Sequence, residues 1–219
     1  MFSEAVVKML GMGILESLYM TVVSSLIAYA IGLPLGVLLV VTDKDGIAPF
    51  VPLNKVLGIV VNFVRSVPFI ILLIAVMPFT RLILGTTLGP SAVIPPLIIG
   101  SAPYIARLVE SSLKEVDKGV IEAAQSMGAT PMNIISKVLI PEAMPSLIIG
   151  AAIAVTTILS YSAMAGFVGG GGLGDIAIRY GYYRYQTGIM IVTVIILVLI
   201  VQLIQELGEN WMKRTDKRL

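Results

Sequence analysis

The stretch GGGGLG, residues 169–174, fits G-x-G-x-x-G through Gly169, Gly171 and Gly174. In a dinucleotide-binding unit such glycines follow a strand, open a helix and let backbone approach a pyrophosphate. Here they follow a long apolar run on the outer side. A close-packed turn is expected, with closure of an outer mouth as the other reading. No G-x-x-x-x-G-K-[ST] occurs, so this chain has no evident cradle for the phosphates of ATP. Histidine and cysteine are absent. Their absence excludes disulfides and iron–sulfur clusters and argues against zinc, haem or His-based catalysis. Ion-driven carriers place ionisable groups at mid-membrane, and the middles of the apolar runs hold none. Arg65 comes closest, near the inner end of the second run, as an interfacial snorkel or a contact to a loop or helix. No catalytic residue, metal site or cofactor is expected.

The surroundings explain the lack of chemistry. Of 219 residues, 57% are hydrophobic and 13% charged, against about 45–50% and about 25% in soluble domains. Mean hydropathy is +0.98. Lipid is the expected solvent, and a net charge of +2 does not suggest nucleic acid. A crossing helix needs about 20 apolar residues. Five segments qualify, at about 14–41, 57–79, 91–110, 143–166 and 187–207. Gly32, Pro34, Pro68, Pro95, Pro96 and Pro103 interrupt the first three, and kinked helices are expected rather than breaks. The first run is longer than a signal-peptide core of roughly 7–15 residues and no A-x-A site follows it, so no cleaved leader is expected. The fold class is all-α: a polytopic membrane protein, read as one domain over 1–219 without repeat or linker.

Five spans put the termini on opposite sides. One side would carry Lys44, Lys55, Arg107, Lys114, Lys118, Lys137, Lys213, Arg214, Lys217 and Arg218, and the other Lys8, Arg81, Arg179 and Arg184. The positive-inside rule makes the richer side cytoplasmic and the N-terminus external. The longest cytoplasmic segment is then 111–142. Asp117 opens a helix there and Gly128 closes it, because glycine accepts positive φ. Thr130 and Pro131 start a second helix that stops near Pro141. Ala123 and Ala124 leave one side of the first helix nearly bare, and Val120, Ile121, Met127 and Ile134 add apolar area. Such a surface suits docking, although a solvated connector has the same composition. The end of the fourth run, SYSAMAGF, sets Ser162, Ala163, Ala165 and Gly166 around Met164. Small residues there read as helix packing.

The loop carries Glu122-Ala123-Ala124, three residues, Gly128, nine residues, then Val138-Leu139-Ile140-Pro141. This resembles the EAA loop of ABC-importer permeases, departing by Val for Ile and Ile for Leu. The blocks NFVRSVPFIILL, APYIARLVE, PEAMPSLI and YSAMAGFVGGGGLGDIAIRYGY extend the resemblance from about Asn62 to Tyr182, toward the methionine-uptake branch. The resemblance implies the type I importer permease fold and an inner-membrane location. It implies inward movement of methionine by alternating access, driven by ATP and Mg held in partner ATPase subunits. It implies a homodimer, two ATP-binding subunits, and an extracytoplasmic methionine-binding protein. Coupling to the ATPase would fall to Glu122, Ala123, Ala124, Gly128, Ala129 and Pro131. Pathway wall and gate would fall to Met164, with Tyr161 and Ser162. Three rival readings stay open on residues alone: a permease for a polar amino acid or metal chelate, an ion-coupled carrier or channel, and a protein that only recruits an ATPase.

Overall fold

The computed structural model describes residues 4–216 and is helical throughout its regular elements. Lys217 and Arg218 lie outside the described residues. Helix α1 runs over Glu4–Val41 and α2 over Val51–Ser66. Helix α3 covers Phe69–Leu84 and α4 covers Pro90–Lys114. The loop helices are α5 (Lys118–Ser126), α6 (Pro131–Ile134) and α7 (Ile140–Glu142), with a π-turn at Ile135–Leu139 between the last two. Then come α8 (Met144–Met164), α9 (Gly172–Ile176) and α10 (Thr187–Thr215).

Helices α1, α4, α8 (continued to Val168) and α10 are long and apolar enough to cross a membrane. The second expected span differs. Helices α2 and α3 pass that test only together, and they meet at a bend of 106°. A kink was expected at Pro68, and the chain breaks there instead. Proline disfavours the helical region for the residue before it, and Val67 is extended at φ −85°, ψ 125°. Pro34, Pro95, Pro96 and Pro103 lie inside continuous helices. Helix α4 also continues to Lys114, so the segment starting at 111 is shorter as a loop than expected. The second loop helix ends at Glu142, near Pro141 as expected. Pro141 lacks the N–H that would reach back four residues, and the helix widens into the π-turn just before it and runs on to Glu142.

The core centres on α1 against α4. A Cβ at Gly32 would stand 2.7 Å from the Ala102 carbonyl oxygen, and one at Gly36 2.6 Å from that of Ala106. This small-xxx-small pair lets the two backbones touch, which is how membrane helices associate without a hydrophobic driving force. Met20, Ala28, Leu97, Ile105, Val109, Ala154 and Ile158 fill the space around that line. Helix α10 buries little of its surface, as a lipid-facing helix should.

Candidate functional site

One end of the bundle gathers the polar loop. Asp117 caps α5, its carboxylate accepting from the Gly119 N–H at 2.7 Å. At the other end of α5, Gly128 has φ +77°. Its N–H donates to the Gln125 carbonyl at 2.9 Å, and Ala129 N–H donates to that of Ala124 at 3.1 Å. These paired bonds are the Schellman stop expected of a glycine there. Nothing lies within 4 Å of a Cβ at Gly128, so the backbone angle, not space, requires glycine. Thr130 then caps α6, its hydroxyl accepting from Asn133 N–H at 3.4 Å, with Pro131 in the first turn.

The structure sorts the loop residues into two faces. Val120, Ala123 and Met127, spaced i, i+3 and i+7, point outward. Met127 is 81% exposed and Met132, on the next helix, 70%. Pro131 and Glu122 are also exposed. Ala124 faces the other way, buried in the same core as Ile134 and Leu139, with Ile121 and Ala129 packed partly against it. Ala124 and Ile134 therefore seat the loop on the bundle rather than add to the outward face. Glu122 borders a 420 Å³ cavity between α5, the end of α4 and the turn after α1, which Lys114, Lys118 and Asp43 also line.

A charged cluster ties that end together. Buried Glu110 accepts from the Arg107 guanidinium and, at 2.9 Å, from the Lys114 ammonium. Arg107 also donates to Asn62 on α2 at 2.9 Å, and Lys114 pairs with Asp43 at 3.4 Å. These bonds tie α2, α4 and the turn after α1 together beside the loop. Glu110 was not singled out from sequence. Its i−3 and i+4 basic partners on one helix were the available signal.

The opposite end holds the glycine-rich turn. Gly169, Gly171 and Gly172 have φ between +75° and +78°. Gly172 N–H donates to the Glu16 carboxylate at 2.7 Å, and Leu173 N–H to the Ser17 hydroxyl at 2.9 Å. Gly174 packs on the backbone of Ala163, and Gly166 on that of Gly174. The turn is a fixed clasp between α1, α8 and α9, with no strand before it. Glu16 and Ser17 were missed from sequence; a lone carboxylate within an apolar run was the signal.

Met164 ends α8 beside this clasp, 46% exposed. Tyr161, one turn earlier on the same side of the helix, stacks on Phe69 with ring centroids 4.2 Å apart. Ser162 does not join them. It is buried, and its hydroxyl donates to the Leu159 carbonyl at 2.7 Å. Arg65 is not near the inner end as expected. Helix α2 climbs alongside α4, with Asn62 level with Arg107, so Arg65 reaches a cavity shared with Gly100 and Tyr104, halfway along α4.

Comparison with known proteins matches residues 32–214 to the model of the binding-protein-dependent transport system inner membrane component family. The probable D-methionine transport system permease protein MetI of Vibrio cholerae is 53% identical over 203 residues, covering 93% of this chain and 90% of that protein. The methionine import system permease protein MetP of Bacillus subtilis is 47% identical, over 83% and 82%. Among solved structures, a chain of the inward-facing MetNI methionine ABC transporter superposes with a TM-score of 0.97 at 46% identity, covering 99% of this chain and all of that one. An amino acid ABC transporter at 20% identity shares the fold, with a TM-score of 0.78. By these matches the chain belongs to the family of binding-protein-dependent transport system inner membrane components.

Proposed function

We propose that the chain is the permease subunit of an ATP-driven methionine importer and acts as a single membrane domain. The observation that carries the substrate is near end-to-end similarity to permeases named for methionine transport. The mechanism is argued from the loop. Val120, Ala123, Met127 and Met132 form an apolar face on a segment too polar to sit in lipid, so a protein surface must cover it. That surface is an ATPase subunit, which supplies ATP and Mg. The chain has one such face, and an ATPase motor closes as a pair. Two copies of the chain related by a two-fold axis satisfy both.

The loop end is cytoplasmic and the N-terminus external in this reading, which the distribution of Lys and Arg supports. A methionine-binding protein delivers substrate at the outer end, beside the clasp of Glu16 on the glycine-rich turn. ATP closure moves α5, and α5 moves α4 and α8 through the packing of Ala124, Ile134 and Leu139. Met164 and Tyr161 line the path near its outer seal, while Ser162 supports α8 from inside.

The test is reconstitution in proteoliposomes with the ATPase and binding-protein partners, using radiolabelled methionine, polar amino acids and metal chelates. ATP-dependent accumulation of methionine above the others is expected. Uptake that persists without the ATPase would instead support a carrier, and accumulation of a different solute would reassign the substrate.

A further inference from the structure

Arg65 is a cation halfway through the bundle with no counter-ion. Among the described residues it makes no ion pair and no hydrogen bond, whereas Arg107, Lys114 and Arg179 each hold a carboxylate. It is exposed and lines a cavity of 230 Å³. The break at Pro68 creates this space by turning Phe69 back against Tyr161. Gly100 lets Leu72 and Phe69 pack closely at its wall, because a Cβ there would lie 3.1 Å from Leu72 and 3.3 Å from Phe69. The lining side chains are aromatic and aliphatic around one guanidinium, and include Tyr104 and Tyr161.

A charge at that depth is costly without an anion. Among the described residues the bundle pairs none with Arg65. Glu16 is held by the glycine-rich turn and Glu110 by Arg107 and Lys114. The anion must come with the solute.

We propose that Arg65 is the transit subsite for the α-carboxylate of the transported amino acid, with Phe69 and Tyr161 receiving its apolar side chain. The inference rests on the importer reading above. A guanidinium fork suits a carboxylate in a bidentate geometry. Arg65 is exposed where it meets the cavity, which leaves a bound carboxylate a way out, as a conducting site requires. Tyr161 stands one turn from Met164 on α8, which puts the subsite directly inward of the proposed outer seal.

The test uses the full complex in proteoliposomes with cysteine-free partners. Arg65→Gln should lower ATP-dependent methionine uptake about ten-fold, the loss expected for a charge-assisted contact, while binding-protein stimulation of ATP hydrolysis stays within two-fold (about 0.4 kcal/mol). Arg65→Lys should keep more uptake than Arg65→Gln. The chain has no cysteine, so R65C offers one thiol. A methanethiosulfonate carrying an ammonium should restore uptake to R65C, one carrying a sulfonate should not, and free L-methionine should slow both reactions. Normal uptake in Arg65→Gln would overturn the proposal. Equal effects of the two reagents would also overturn it, pointing to a role in packing or lipid anchoring. If R65C fails to assemble, the Lys and Gln variants at equal assembled amounts give the same contrast. A wild-type complex that moves no methionine would refute the importer reading itself, a result distinct from any failure of the variants.

Discussion

Gly128 and Met164 are the two positions where single substitutions test the proposed coupling loop and outer seal. Gly128→Val would force a β-branched residue to φ +77°, costing upward of about 1 kcal/mol in the α5 stop. Uptake should fall several-fold while membrane insertion is unchanged. Gly128→Asn, which tolerates the left-handed region, should retain most of it; uptake rates at matched expression separate the two. Met164→Ala removes a few methylenes at the proposed outer seal. ATP hydrolysis without proportionate uptake is expected, whereas a residue packed only against lipid would show lowered thermal stability with coupling intact. At this scale the sequence was informative wherever backbone geometry dictated residue type. Asp117, Gly128, Thr130 and Pro131 each stand where their chemistry requires. It was less so where direction mattered. Ala123 and Ala124 are adjacent and alike in sequence, yet one faces outward and the other packs in the core, because neighbours on α5 lie about 100° apart.

Among the elements, α1 and α4 carry the tightest constraint. Gly36→Ala would drive a Cβ to 2.6 Å from the Ala106 oxygen and from Val109 Cβ. Backbone cannot yield as a flexible side chain does, so a loss of about 1–3 kcal/mol is expected, read as a lower melting temperature in detergent. Gly11, with nothing within 4 Å of its Cβ site, is the control that should tolerate alanine. Apolar length revealed the helices that became α1, α4, α8 and α10. It could not show that the second run is two helices at 106°, since hydropathy is blind to direction. Proline itself was ambiguous. Pro95, Pro96 and Pro103 sit in a helix that neighbours hold straight enough to continue, while Pro68 ends one. The charged frame around Glu110 and the Glu16 clasp were hidden for a related reason: each depends on partners brought together by packing from distant parts of the chain.

At the scale of the whole molecule, the outward face of α5 and the pair of half-buried Tyr161 and exposed Met164 lie at opposite ends of one packed frame. The account requires that a movement imposed on the first be felt at the second. A detergent-extracted complex should have the mass of two permease copies with two ATPase subunits; a mass that fits one permease copy would contradict the symmetric assembly. The most direct measurement is paired ATP hydrolysis and methionine uptake in the same proteoliposomes, for the wild-type chain and for Ala123→Trp. Ala123 is exposed on α5, so tryptophan there should leave the fold intact and block seating of the ATPase. The account predicts uptake that requires ATP in the wild type and falls more than ten-fold in Ala123→Trp. Uptake at the wild-type rate in Ala123→Trp, or uptake without ATP in either, would contradict it.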